Sequence, residues 1–171
     1  MTFMDLAKAR YSVRKFSDRP VEDELLRQVL EAGNIAPTGK NNQPQRVYVA
    51  RSEEALAALR ELTPCTFGAP TVLVFAYDTE AEWKNPLEEG IHSGPQDVSI
   101  VATHVMLAAA ELGLGTCWVN YFANSKAESA LHLPENEKIL LLMPIGYPAA
   151  DAAPAAAHNI CGDLEKTVRY I

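Results

Sequence analysis

Arg10-Tyr11-Ser12-Val13-Arg14 is the segment of this chain whose residue types could do the most chemistry. Side chains alternate along an extended backbone, so Arg10, Ser12 and Arg14 share one side if the segment is extended. On a helix the two arginines would share a side as well. Two guanidiniums and a hydroxyl on one side fit an anionic group such as a phosphate. Exposed arginines after a helix can also simply solvate its end and favour its dipole. The second segment is Ala36-Pro-Thr-Gly-Lys-Asn-Asn-Gln-Pro44. Pro37, Gly39 and Pro44 force a loop, and Thr38, Asn41, Asn42 and Gln43 fill it with neutral hydrogen-bonding groups. Such a loop holds a polar ligand or serves as a solvated connection.

Other chemistries find less support. Gly33 to Asn41 departs from a P-loop in spacing, in Asn41 after Lys40, and in following a helix rather than a strand. Gly113-Leu-Gly115 has Trp118 where a dinucleotide fingerprint needs its third glycine. His92, His104, His132 and His158 share no metal-ligand spacing. His104 reads as a satisfied core histidine, and Ser93 and Asp97 as caps of a helix start. No nucleophile elbow is present. Cys117 sits in a buried-looking strand with nothing in the sequence to activate it. Trp83 and His92, in the long connection after Tyr77, either line a pocket mouth or are ordinary loop residues.

The elements that must position these residues follow from periodicity. Leu6 to Arg10 reads as the end of a short helix. Glu22 to Asn34 carries Leu25, Leu26, Val29, Leu30 and Ala32 at helical spacing, with acids in its first turn. Val47 to Ala50 is a short strand, and Ser52 caps a helix to about Leu62. Thr71 to Tyr77 is a near-continuous apolar strand suited to the middle of a sheet. Pro95 starts a helix that Gly113 ends. That helix has one apolar face of Val98, Val101, Ala102, Val105, Ala109 and Leu112 and a second of Ile100 and Leu107, so it is buried in its own core or against a partner subunit. Thr116 to Val119 is a strand. Asn124 caps a helix to about His132, and Lys138 to Ile145 is another strand. Ala149 to Ala157 reads as an extended surface arm, and Leu164 to Ile171 as a last strand reaching outward. Interleaved helices and strands argue α/β or α+β around one central sheet.

The chain has 171 residues, 48% of them hydrophobic, 22 acids and 15 bases, for a net charge of −7. This is one domain, residues 1–171, with enough core to fold without staples. An acidic chain is a poor partner for nucleic acid. The uncharged stretch Val98 to Ala110 is too short and polar to span a membrane. Three scattered cysteines support neither a disulfide framework nor a zinc ribbon, and the first 20 residues show no secretory signal, which makes the cytoplasm the default compartment.

Taken in order, the segments resemble the nitroreductase family of FMN-dependent NAD(P)H oxidoreductases. Ala9-Arg-Tyr-Ser-Val-Arg-Lys-Phe16 is similar to its opening motif, and Ala36 to Pro44 to its second. Ala69-Pro70 into a strand, Leu107 to Trp118, and Gly146-Tyr-Pro148 extend the resemblance over nearly the whole chain. The resemblance implies an α+β fold with a mixed central sheet flanked by helices, a domain-swapped homodimer, and FMN at each subunit interface. It implies that Arg10, Ser12 and Arg14, with Tyr11 between them, hold the phosphate, ribityl chain and ring edge from one subunit. Pro37, Thr38, Gly39 and Asn41 would reach the same flavin from the other. Val119, Asn120 and Tyr121 match the segment whose backbone passes the flavin. The Pro95–Gly113 helix would form the dimer core, and the C-terminal segment would wrap the partner. NADH or NADPH would donate hydride, and a nitroaromatic, quinone or enone would accept it. Arg14 is the candidate electrostatic stabiliser of charge developing on the ring. Where many relatives carry a C-terminal Arg/Lys pair, this chain has Cys161-Gly162, with His158 slightly upstream. The phosphate would then rest mainly on Arg10 and Arg14. Gln45 stands where an aromatic residue often follows Pro, and only the Asp78–Gly94 connection replaces a longer helical insertion over the substrate. A flavin-sequestering protein with little turnover is the alternative.

Overall fold

The computed structural model describes all 171 residues. Ten elements follow in chain order: α1 (Phe3–Ala9), α2 (Asp23–Asn34), β1 (Gln45–Ala50), α3 (Glu53–Leu62), β2 (Thr71–Asp78), α4 (Gly94–Glu111), β3 (Gly115–Thr116), α5 (Asn124–Ala130), β4 (Glu137–Gly146) and α6 (Leu164–Thr167). The fold is α+β. One four-stranded sheet runs β1-β2-β4-β3, all neighbours antiparallel. The parallel component of the mixed sheet is a single bridge, Ser12 to Thr116, at its β3 edge.

β2 explains why an unbroken apolar run belongs in mid-sheet. Leu73 and Phe75 join a core under α2 and α4, while Val72, Val74 and Ala76 join a second core under α3 and α5. Alternation therefore buries both faces. β4 does the same with a change of phase. The β2–β4 register slips between Phe75 and Ala76, pairing them with Leu141 and Ile139 and leaving Leu140 as the extra residue. That bulge sends Ile139 to the α3–α5 core while Leu141 stays in the other.

The 116–119 strand is shorter than its sequence suggests. Cys117 N–H reaches the Pro144 carbonyl at 3.2 Å, but Pro144 has no N–H to return. Regular pairing stops at Thr116 and resumes only as the Val119–Leu142 bridge. Asn124 is the first residue of α5 rather than its cap, and its side-chain amide donates to the Ile139 carbonyl at 2.7 Å. Leu164–Thr167 is helical, not a strand. Asp163 caps it by accepting the Glu165 N–H, and the tail has no neighbouring strand to pair with. No helix is long and apolar enough to cross a membrane.

α4 matches its sequence reading closely. Val98, Val101, Ala102, Val105 and Ala109 are buried, whereas Ile100 is 37% exposed and Leu107 half-buried on a second face. His104 lies on that second face and not in the core. Its Nδ1 sits 2.9 Å from the Ile100 carbonyl, one turn back. Gly33 of α2 lets the two helices approach, since a Cβ there would lie 2.7 Å from Val105 Cγ2.

Candidate functional site

The Arg10–Arg14 segment is built as an edge. Arg10 leaves α1 with extended backbone, and its N–H closes the helix on Leu6. Ser12 bridges Thr116, Val13 N–H donates to the Thr116 carbonyl at 2.9 Å, and Phe16 bridges Pro148. The alternation places Val13, 1% exposed, in the interior, where a Cβ on Gly115 would meet its Cγ2 at 2.5 Å. Ser12 and Arg14 fall on the other side. Both act on Cys117: burial pushes its thiol up, while the Arg14 charge and a Ser12 hydrogen bond pull it down. Arg10 and Tyr11 line a cleft of about 170 Å³ with Val13, Gly113, Leu114 and Gly115. Arg10 makes no side-chain hydrogen bond or ion pair within the chain, and Arg14 donates only to the Ser12 carbonyl, at 3.3 Å.

Val119 is buried and paired to Leu142 through both backbone groups, at 2.9 and 3.0 Å. Asn120 and Tyr121 follow it to the surface, Tyr121 being 75% exposed, and neither backbone N–H has a partner within the chain. These segments adjoin across β3. Ser12 and Arg14, the Cys117 thiol and the Val119–Tyr121 backbone therefore belong to one neighbourhood at the C-terminal end of α4.

The Ala36–Pro44 loop lies at the opposite end. Gly39 N–H donates to Asp97 Oδ1 at 2.8 Å in the first turn of α4. Asp97 and Ala110, which lines the Arg10 cleft, are about 13 residues apart on that helix, or about 20 Å at its usual rise. Within one chain the two halves of the expected site are thus not brought together. A 170 Å³ cleft is also smaller than the roughly 300–1,000 Å³ usual for small-molecule sites. A groove of about 510 Å³ between α2, α4 and β1 contains none of the expected site residues. It is lined by Gln45, whose buried Oε1 has no partner.

The loop has an unusual backbone shape. Lys40, Asn41 and Gln43 hold φ near +52°, +56° and +51°, left-handed values that cost non-glycine residues of order 1–3 kcal/mol each. Thr38 Oγ1 accepts the Gln43 N–H at 3.1 Å. Gly39 is needed for space, because a Cβ there would lie 3.1 Å from Ser93 Oγ and 3.2 Å from Trp83 Cβ. Pro37 and Asn41 are exposed, so the loop presents them outward while its glycine faces the protein.

Three groups play parts that their sequence context did not reveal. Ser93 stands at the N-cap position of α4, but neither its side chain nor that of Asp97 caps the helix. Their side chains bond each other and hold the loop and Trp83. The hint was an acid in the first turn of a helix that is otherwise apolar. His158 returns from the exposed tail to pack edge-on against Tyr11, with ring centroids 6.2 Å apart and Nε2 3.1 Å from the Lys8 carbonyl. It places an imidazole beside the Arg10 segment.

The model of the nitroreductase family matches residues 7–66 and 61–147, which include every segment just described up to Tyr147. The chain belongs to the nitroreductase family. A crystal structure of a nitroreductase family protein from Clostridium difficile superposes with TM-score 0.92 at 36% identity, covering 99% of this chain and 98% of that one. A nitroreductase-type structure from Desulfovibrio desulfuricans, solved in complex with FMN, gives TM-score 0.80 at 26% identity over 98% of this chain and 95% of its own. A Thermus thermophilus protein named NADH dehydrogenase is 30% identical, covering 96% of this chain and 93% of its own length. The residues present fit a flavin mononucleotide. Two guanidiniums, one without a partner and one bonded only to the Ser12 carbonyl, suit a phosphate and an electron-rich ring edge, and two free backbone N–H groups suit ring acceptors.

Proposed function

We propose that this nitroreductase-family chain is an FMN-dependent NAD(P)H oxidoreductase that passes hydride, by a ping-pong sequence, from NADH or NADPH to small electrophiles such as nitroaromatics, quinones or enones. The observation that carries this reading is the set of donors at the C-terminal end of α4 that do no structural work: the Arg10 and Arg14 guanidiniums and the N–H groups of Asn120 and Tyr121. FMN supplies the two-electron chemistry when bound, so the chain needs no nucleophile or general base of its own. Arg10 and Ser12 hold the phosphate and ribityl chain. Arg14 keeps a fixed positive charge at the ring edge, where it favours developing negative charge without reorganisation.

The site is completed by a second copy. Pro37, Thr38, Gly39 and Asn41 reach the cofactor of the other subunit, because their own chain holds them at the far end of α4. The Ile100–Leu107 face and the tail residues Ile160, Leu164, Val168 and Tyr170 supply exposed apolar surface for that homodimer. We assign the protein to the cytoplasm, in line with its unpaired cysteines.

The test is the visible spectrum of the purified protein, followed by anaerobic stopped-flow mixing with NADH and with NADPH. Bound flavin that bleaches within a turnover supports the oxidoreductase. Bound flavin that stays oxidised with both donors makes the chain a flavin-sequestering protein. Protein that takes up no added FMN ends both readings.

A further inference from the structure

Asp97 is 3% exposed, and both its carboxylate oxygens are in use. Oδ1 accepts the Gly39 N–H at 2.8 Å and Oδ2 accepts the Ser93 hydroxyl at 2.6 Å. Ser93 Oγ in turn accepts the Trp83 N–H at 3.1 Å, and the Ser93 N–H donates to the Trp83 carbonyl at 2.9 Å. One carboxylate therefore ties three pieces of chain together: the start of α4, the Thr38–Gln43 turn, and the base of the hairpin that spans Trp83 to Ser93. A capping acid could do its work at the surface. A buried one is costly unless every oxygen is satisfied, so its placement points to a task beyond helix stability.

The turn shows what that task is. Its other hydrogen bonds are local: Asn41 N–H to Thr38 carbonyl, Asn42 N–H to Gly39 carbonyl, and Gln43 N–H to Thr38 Oγ1. The Gly39–Asp97 bond is the only one from residues 38–43 to a distant part of the chain. Three left-handed non-glycine residues persist only where the surroundings over-determine them.

We propose that Asp97 is a positioning residue: it holds the 38–43 turn in its ligand-facing conformation and, through Ser93, locks that turn to the Trp83–Ser93 hairpin. The proposal rests on the reading that this turn touches the cofactor of the second copy. A change at the hairpin is then felt at the turn, and the reverse.

The experiment compares the wild-type protein with Asp97→Ala, Asp97→Asn and Ser93→Ala. It uses three readouts: trypsin cleavage after the exposed Lys40, hydrogen exchange of the Gly39 amide, and FMN affinity by fluorescence. Asp97→Ala is expected to speed cleavage at Lys40 and weaken FMN by about tenfold each, the scale of one charge-assisted hydrogen bond. The Gly39 amide should lose protection while Leu73 and Leu141 in β2 and β4 keep theirs. Asp97→Asn keeps a carbonyl acceptor for Gly39 and should restore most of the protection. Ser93→Ala should raise Lys40 cleavage about threefold. Where Asp97→Ala yields no folded protein, that threefold change decides. Unchanged cleavage and affinity in the variants overturn the proposal, as does equal loss of protection at Gly39, Leu73 and Leu141. Wild-type protein that binds no FMN defeats the cofactor reading instead, and the two flavin-free readouts still judge Asp97.

Discussion

The two ends of α4 solve opposite problems. At the C-terminal end, Arg10 and Arg14 are held by backbone pairing of Ser12, Val13 and Phe16; the Arg10 side chain has no partner and that of Arg14 only the neighbouring Ser12 carbonyl. At the N-terminal end, the Thr38–Gln43 turn is committed through its backbone, with a buried carboxylate on Gly39 and left-handed backbone at three residues. One end offers charge on a plain scaffold. The other offers shape on a strained one. Charge can be aimed by an ordinary strand edge, because a guanidinium reaches its target through a long side chain. Shape presented by backbone has to be fixed by neighbours, since nothing at the tip can adjust.

Substitutions at each end break this contrast in different ways. Arg10→Ala should have the largest effect, costing about 1.5–3 kcal/mol of FMN affinity, the range for a charge-assisted hydrogen bond. The melting temperature of the flavin-free protein should not move, since Arg10 holds nothing in the fold. Titration at low and high salt sharpens the point: affinity should fall less steeply with salt in the variant than in the wild type. Loss of salt dependence without loss of affinity would contradict the assignment.

Gly115→Ala attacks the same end through its scaffold. Its Cβ would lie 2.5 Å from Val13 Cγ2, and overpacking of this kind costs about 1–3 kcal/mol. Thermal melting should show the loss, and FMN affinity should fall with it because Ser12 and Arg14 flank Val13. Gly39→Ala is milder. Contacts of 3.1 and 3.2 Å ask Ser93 and Trp83 to give by a few tenths of an ångström. FMN affinity should drop about threefold, under about 1 kcal/mol, with stability nearly unchanged. A stability loss as large as that of Gly115→Ala would erase the distinction between the two ends.

The smallest effect is expected in acid. Hydrogen bonds from Tyr147 and Arg19 lower the Glu22 carboxyl from 4.5 to about 2. Tyr147 also accepts the Ser17 N–H that anchors the end of the Arg10 segment. A lowered folded-state value means the charged form is favoured in the native state. Its contribution is present above pH 4.5 and is lost as pH falls toward 2. Glu22→Gln should flatten the melting-temperature profile across that window. The group is exposed, so the change is slight and shrinks with salt.

Much of this was legible in the residues. The apolar run of β2, the Ser52 cap and the two-faced character of α4 are local statements that periodicity makes directly. The failures have local causes as well. Pro144 interrupts a strand from the opposite side of a ladder, which the 116–119 segment cannot disclose. Tail residues with weak alternation become a strand only if an edge is within reach, and within this chain none is. Asp97 looked like a cap because first-turn acids usually are, and its true partner lies 58 residues away.

By itself the amino-acid order determined that helices and strands interleave around one sheet, the resemblance to the family and with it the α+β class, and which polar side chains were available for an anionic cofactor, because these depend on residue type, near-neighbour spacing and the order of short motifs. Only the tertiary structure decided which of those groups remain uncommitted, which are consumed by packing, and that the two segments expected to form the site sit at opposite ends of one helix. Those outcomes depend on hydrogen bonds between segments distant in sequence, and a linear pattern carries no record of who meets whom across a folded core.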